Sequence, residues 1–204
     1  MPKLRVTLCG RSPCLPQLAQ TSSGTGTSSV VGNALFTRCY DANTMSLPRI
    51  YVETSVISYL TSRSSRDLLV AARQEATREW WDLRDTVFQP LISNLVLQEA
   101  AAGDPAAATR RIEICRPIER LLINAACEKL AQALIAERAI PETEQEDALH
   151  LALATVSRAD FIATWNFAHL VGPVAKFRLQ TAIQNMGFPP PILATPEELL
   201  EILS

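Results

Sequence analysis

Apolar and polar residues follow two patterns along residues 49–204, short apolar runs and longer stretches with helical spacing. The apolar runs are rich in β-branched and aromatic residues, which is typical of buried parallel strands. They lie at 49–53, 86–92, 117–123, 160–164 and 192–194. The stretches between them predict helices at 54–60, 66–84, 93–102, 105–115, 125–138, 144–157, 173–186 and 196–204. This alternation predicts a three-layer α/β/α sandwich with a mainly parallel sheet of four or five strands.

The predicted helix at 66–84 is amphipathic. One of its two adjacent tryptophans, Trp80 and Trp81, is expected to enter the core and the other to lie at a surface that contacts a partner. Its apolar positions at helical spacing are Leu68, Leu69, Ala72, Ala76, Trp80 and Leu83.

Side-chain caps are expected at three helix starts. Asn124 is expected to cap the helix at 125–138. Thr143 with Glu146, and Thr195 with Glu198, have the spacing of a capping box, in which each residue hydrogen-bonds the backbone amide of the other. These caps fix where the flanking loops end.

Residues 1–44 differ in composition from the rest of the chain. They hold four of the seven glycines, and residues 20–29 have the Ser, Thr and Gly content of a flexible linker. We expect no stable fold there and place the folded domain at residues 45–204. Two interpretations stay open, a mis-called extension with Met45 as the natural start, or a genuine disordered tail.

The charge and the cysteine content of the chain limit which classes of protein it can belong to. The formal net charge is −2 overall, and it is −5 from residue 45 onward, where 15 basic residues face 20 acidic ones. A nucleic-acid partner would therefore need a local basic patch. Five cysteines without a CxxC pair argue against a disulfide framework or a zinc site and favour a reducing cytoplasm. No apolar run has the length of a membrane span.

Four separated polar residues adjoin the predicted strands and helices. Glu53 ends the first apolar run, Asn166 follows the fourth, and Glu99 and Asp147 lie on predicted helices. Acids at the carboxyl ends of parallel strands, joined by acids on neighbouring helices, form Mg²⁺ sites in α/β sheets. Each acid alone is explained by solvation or by a favourable helix dipole. Together they predict a metal site and therefore phosphodiester chemistry.

These positions lie in short motifs that resemble those of the PIN domain family, most of all VapC-type toxins of bacterial toxin–antitoxin pairs. The resemblance covers about residues 47–204. It implies a PIN-like fold and a Mg²⁺- or Mn²⁺-dependent endoribonuclease that hydrolyses RNA. It also implies a homodimer held inactive by a cognate antitoxin. The motifs are Tyr51-Val52-Glu53-Thr54-Ser55-Val56, Glu99, Glu146-Asp147-Ala148-Leu149-His150-Leu151-Ala152 and Ala163-Thr164-Trp165-Asn166.

The resemblance implies catalytic roles for Glu53, Glu99, Asp147 and Asn166, with the three acids as metal ligands. Thr54 would donate its hydroxyl to a metal-bound water or to a substrate phosphate. The chain departs from the usual quartet of three aspartates and one glutamate, because Glu53 replaces an aspartate and Asn166 occupies the fourth acidic place. Three carboxylates favour one metal ion over a symmetric pair.

Other interpretations stay open. Asn166 supports a catalytically impaired PIN-like module for binding or dimerisation, and a phosphatase or DNA nuclease would use the same acids. His150 and His169 are interpreted first as structural residues, and a place in the cleft, in contact with phosphate or with the groups that support the site, stays open for both. Among the cations, Arg63 and Arg66 are the best placed for RNA backbone contacts, and the further candidates are Arg73, Arg110, Arg111, Lys176 and Arg178.

Overall fold

The structure, a computed structural model, describes residues 46–203, with side chains for 46–202. The prediction for residues 1–44 lies outside these residues. Five strands form one sheet in the order β3-β2-β1-β4-β5, and every neighbouring pair is parallel. The strands are β1 (Arg49–Val52), β2 (Gln89–Ser93), β3 (Glu119–Leu121), β4 (Phe161–Ala163) and β5 (Ile192–Ala194). The predicted parallel sheet is confirmed.

Helices connect the strands and flank the sheet, so the predicted α/β sandwich is confirmed. Among the residues that the structure describes, no helix is both long and apolar enough to cross a lipid bilayer. The helices are α1 (Thr54–Thr61), α2 (Leu68–Val87), α3 (Asn94–Ala100), α4 (Pro105–Cys115), α5 (Ala125–Ala136), α6 (Gln145–Val156), α7 (Pro173–Asn185) and α8 (Pro196–Leu203), with one π-helical turn at Phe167–Val171.

The direction in which the strands are added reverses at β1. The chain builds β1, β2 and β3 towards one edge, then returns to place β4 on the other side of β1 and β5 beyond it. Ligands of open α/β sheets bind in the crevice at the carboxyl ends of the strands where this order reverses. Glu53 follows β1 directly, and its backbone amide bonds the carbonyl of Ala163 in β4 at 3.0 Å. Glu53 therefore lies at that crevice.

Helix α2 buries a different face from the one that its leucines predict. Leu68 and Leu69 are 87% and 62% exposed, and Leu83 is also exposed. Asp67 caps the helix, so both leucines lie in its first turn. The buried residues of the helix are Gln74, Thr77, Trp80 and Arg84.

Hydrogen bonds decide this register of α2. The Gln74 side chain donates to the Ser62 hydroxyl at 2.7 Å and to the Arg63 carbonyl at 2.9 Å. It also accepts from the Ser65 amide at 2.9 Å. The Thr77 hydroxyl accepts from the indole of Trp165 at 2.8 Å. These bonds satisfy the buried side chains of Gln74 and Thr77, which lets this face pack inward, although the Trp80 indole N–H and Arg84 Nε on the same face have no hydrogen-bond partner.

Two of the three predicted caps are confirmed, and the Thr143–Glu146 capping box is wrong. The Asn124 side chain accepts from the amides of Ala126 and Cys127. The Thr195–Glu198 box closes at 2.9 and 3.1 Å. Helix α6 instead begins at Gln145 with Glu144 at the cap position and no side-chain cap.

The Thr143 hydroxyl donates to the Glu144 carboxylate at 3.1 Å and so is not used as a cap. The Glu144 carboxylate lies 3.8 Å from His169. Both side chains at the start of α6 are therefore engaged with other side chains and not with the helix amides.

The expected burial of one tryptophan is confirmed for Trp80, which is fully buried. We expect Trp80→Ala to lower the free energy of unfolding by about 3–5 kcal/mol, because it leaves a large cavity. Trp80→Phe should cost clearly less, since it keeps most of the packing and removes an indole N–H that has no hydrogen-bond partner. Urea denaturation of both variants checks this. Equal losses in the two variants would contradict the prediction that the lost packing accounts for most of the effect.

Candidate active site

Glu53 joins the ends of β1 and β4. Its Oε1 accepts from the Ser55 amide at 2.9 Å and so caps α1. Its Oε2 accepts from two hydroxyls, that of Thr164 at 2.8 Å and that of Ser55. A carboxylate has about four acceptor positions, and protein donors use three of these. Glu53 therefore keeps one free position, on Oε1, although its side chain is buried.

Thr164 continues the hydrogen-bond chain from Glu53 towards Asp147. Its hydroxyl, which donates to Glu53, also accepts from the backbone amide of Asn166 at 3.0 Å. The Asn166 side-chain nitrogen donates to Asp147 Oδ2 at 2.8 Å, and its Oδ1 accepts from the His169 amide at 3.1 Å. Asn166 is thereby fixed as the cap of the π-helical turn. This chain joins three of the four predicted site residues.

Glu99 reaches the same region from α3. The hydroxyl of Thr54, the residue after Glu53, donates to Glu99 Oε2. His150 Nε2, on α6, lies 3.0 Å from Glu99 Oε2 and 3.2 Å from Oε1. Glu99 is thus held between the first helix residue after β1 and the histidine one turn beyond Asp147.

A buried relay behind His150 fixes its ring. The Tyr51 hydroxyl lies 2.7 Å from His150 Nδ1 and 2.7 Å from the Ser93 hydroxyl. Ser93 also caps α3 by accepting from the Val96 amide at 3.3 Å. Both nitrogens of His150 therefore have partners, so its ring orients Glu99.

The electrostatics of the three acids differ. Burial raises the pKa of Asp147, and the nearby charge of Glu53 raises it further. Burial alone would also raise the pKa of Glu99, but the hydrogen bonds from His150 and Thr54 and the charge of His150 lower it. Burial alone would lower the pKa of His150, but the Glu99 hydrogen bond and the acids Glu53, Glu99 and Asp147 raise it. The two pKa shifts, downward for Glu99 and upward for His150, have the directions that a hydrogen bond between an acid and a base produces.

The donor set fits a hard divalent cation. Glu53, Glu99 and His150 each offer one ligand atom, and these atoms lie within 4.8 Å of one another; a second such group holds Glu144, Asp147 and His169. Because His150 uses both nitrogens within the protein, carboxylate oxygens are the available donors in the first group. Carboxylate oxygens suit Mg²⁺ and Mn²⁺.

The structure joins Glu53, Asp147 and Asn166 in one hydrogen-bond chain through Thr164, and Glu99 belongs to a second network with Thr54 and His150. The two groups of candidate ligands divide the predicted metal ligands in the same way, with Glu53 and Glu99 in one and Asp147 in the other. Whether these three acids and Asn166 are the catalytic residues stays a prediction. Thr54, predicted to serve a metal-bound water or a phosphate, directs its hydroxyl to Glu99. His150, interpreted from the sequence as structural, contacts Glu99. Its place three residues after Asp147, on one face of α6, is the sequence signal for this contact.

Two supporting residues carried little or no signal in the sequence. Ser55 accepts the Trp165 amide at 2.8 Å while its hydroxyl donates to Glu53. Tyr51 lies inside an apolar run, which predicts a core residue, and it is fully buried. Its hydroxyl also contacts His150 Nδ1, which the sequence pattern does not indicate. Such roles depend on which side chains meet in space.

Comparisons with known proteins gave matches among solved structures only. No protein-family model and no curated protein matches the sequence. Among solved structures, VapBC2 of Rickettsia felis, crystallised with a DNA fragment from their promoter, is 14% identical with a TM-score of 0.47. That match covers 72% of this chain and 97% of the matched one.

The VapC20 toxin of Mycobacterium tuberculosis, which cleaves the sarcin–ricin loop, is 19% identical, also with a TM-score of 0.47. That match covers 58% of this chain and 91% of the matched one. The parallel sheet, its switch point and the motifs that resemble the PIN family together describe a PIN-like α/β sandwich.

Proposed function

We propose that residues 45–204 form a divalent-metal-dependent endoribonuclease that hydrolyses RNA phosphodiester bonds. The observation that supports this most strongly is the convergence of three acids and one asparagine at the switch point of the sheet. They come from the end of β1, from α3, from α6 and from the end of β4. A site assembled from four separate elements is what phosphoryl chemistry needs, since it can hold charge and orient a water together.

The residues of the chain have distinct tasks in this proposal. Glu53, Glu99 and Asp147 would hold Mg²⁺ or Mn²⁺, which when bound would neutralise charge on the phosphoryl oxygens and make a water more acidic. Asn166 keeps Asp147 oriented through its 2.8 Å hydrogen bond. His150 orients Glu99 and offsets part of the negative charge. Three carboxylates concentrate negative charge at the site, and a divalent cation would balance most of it.

The biological role that we propose is the toxin of a type II toxin–antitoxin pair in the cytoplasm. The motifs that resemble VapC toxins support it. The partners would be the RNA substrate, a cognate antitoxin protein and a second copy of the chain. Both cysteines within the described residues, Cys115 and Cys127, are unpaired and buried, which is compatible with a reducing compartment.

One specific observation favours a second candidate function, a catalytically impaired module for binding or dimerisation. Asn166 occupies an acidic position of the family pattern, and its side-chain nitrogen donates a hydrogen bond to Asp147. An asparagine there removes one charge from the metal site. This candidate predicts a folded protein that binds partners but leaves RNA intact.

The proposal is tested by cleavage assays on the purified chain. We expect it to cut single-stranded RNA with Mg²⁺ or Mn²⁺ and to lose this activity in EDTA, with recovery when the metal is restored. Parallel assays on single-stranded DNA and a chromogenic phosphate ester separate a nuclease of other specificity or a phosphatase. RNA cleavage that persists in EDTA would contradict the proposal, and no cleavage of any substrate would favour the impaired module.

A further inference from the structure

A basic pocket lies beside the candidate site, between the end of α1 and the start of α4. Its volume is about 470 Å³. Three arginines and one carboxylate line it, in a domain whose net charge from residue 45 onward is −5. The residues that matter here are Ser58, Thr61, Arg63, Asp104, Arg110 and Arg111. This concentration of positive charge is the local basic patch that a nucleic-acid partner would need.

Two of the arginines are free to bind a ligand. Arg63 and Arg110 are exposed. Within residues 46–202, neither guanidinium has a carboxylate at ion-pair distance. Asp104, which shares the pocket, accepts the Ala107 amide at 2.9 Å and caps α4. Charged groups that the protein leaves unpaired on one concave surface are suited to bind an anion.

The third arginine ties the pocket to the acidic site. Arg111 donates from Nε to the Ala100 carbonyl at 2.8 Å and from a terminal nitrogen to that of Ala102 at 2.5 Å. Ala100 directly follows Glu99. The Arg111 guanidinium is therefore fixed on the end of the helix that carries a candidate metal ligand, and its remaining N–H donors are held in place.

Helix α1 connects the two places from the other side. Thr54, whose hydroxyl bonds Glu99, begins the helix, Ser58 lies one turn later and Thr61 ends it. At 1.5 Å per residue these steps span about 6–10 Å, the scale of a few nucleotide steps. The Thr61 hydroxyl donates to the Ile57 carbonyl, which leaves the Ser58 hydroxyl as the donor that α1 offers to the pocket.

We propose that this pocket is a phosphate subsite for the RNA strand, a few nucleotides from the bond that is cut. Arg63, Arg110 and the Ser58 hydroxyl would bind phosphate oxygens. Arg111 would line one side of the pocket in a fixed position, because two backbone carbonyls hold its guanidinium. The inference rests on the proposed ribonuclease function and adds where the substrate backbone lies. An acidic segment of a protein partner is the competing ligand for the same charges.

The test is the double variant Arg63→Gln/Arg110→Gln against the matched control Arg78→Gln/Lys129→Gln, which removes two charges outside the pocket. Binding of a short fluorescein-labelled single-stranded RNA is measured by anisotropy over a range of salt, with Asp147→Asn present throughout to prevent cleavage. We expect the dissociation constant to rise about tenfold more than in the control, and the slope of log affinity against log salt to fall by about one to two.

Turnover provides a second readout in chains that keep Asp147. We expect the double variant to raise KM about tenfold and to leave kcat close to that of the control. RNA affinity and salt slope equal to those of the control would overturn the subsite. So would intact RNA binding with lost binding of a polyglutamate peptide, which would assign the pocket to an acidic protein. A chain that cuts no RNA contradicts the proposed function, yet the anisotropy result still decides the subsite.

Discussion

Asp147→Ala is expected to reduce RNA cleavage by about 10²–10³-fold or more, because a metal site of this kind contributes several kcal/mol to the transition state. Asp147 is one of the three carboxylates predicted to hold the metal, and the charge of Glu53 raises its pKa. The fold should survive the change. The environment of Asp147 raises its pKa, chiefly through burial, so the folded protein disfavours its charge and removing that charge relieves a cost.

Glu146→Ala is the matched control for this experiment. Glu146 neighbours Asp147 in the first turn of α6 but is exposed. Cleavage rates under saturating metal, together with thermal unfolding, separate loss of activity from loss of structure. An Asp147→Ala protein that cuts RNA as fast as the Glu146→Ala protein would show that another site or a contaminating nuclease is responsible.

The order of strands and helices could be predicted from the sequence because both signals are local. Buried parallel strands give continuous apolar runs, as in Ile50–Val52, and caps such as Asn124 depend on residues within one turn. The face of α2 could not be predicted in this way. Leu68 and Leu69 follow the helical period, but Gln74 and Thr77 are buried because they hydrogen-bond residues outside the helix. The partner of Gln74 lies in the preceding loop and that of Thr77 is Trp165, and a periodicity within the helix registers neither.

The residues of the candidate site likewise fall into those that the sequence could predict and those that it could not. Glu53 and Asn166 were predictable as neighbours, because they follow strands and the carboxyl ends of parallel strands share one edge of the sheet. The roles of Ser55 and Tyr51 were not, since each is set by a contact between separate elements. Residues that adjoin a strand end are therefore predicted better than those that hold them in place.

Asn166→Asp is expected to make the stability of the protein depend more strongly on metal. In the present chain the Asn166 amide donates to Asp147 Oδ2 at 2.8 Å. An aspartate would replace this bond with two carboxylates in contact, and we expect a loss of about 1.5–3 kcal/mol without metal. The cap on the His169 amide uses Oδ1, which an aspartate retains. The change therefore isolates the contact with Asp147.

Thermal unfolding in EDTA and in Mg²⁺ provides the measurement. A fourth carboxylate should strengthen cation binding, so the midpoint of Asn166→Asp should rise with Mg²⁺ by more than that of the unchanged chain. Asn166→Ala, which loses the same hydrogen bond but adds no charge, should not gain this dependence. If Asn166→Asp unfolds at one temperature with and without metal, Asp147 and Asn166 do not face a cation. If it alone cuts RNA while the unchanged chain does not, Asn166 is what holds a dormant site inactive.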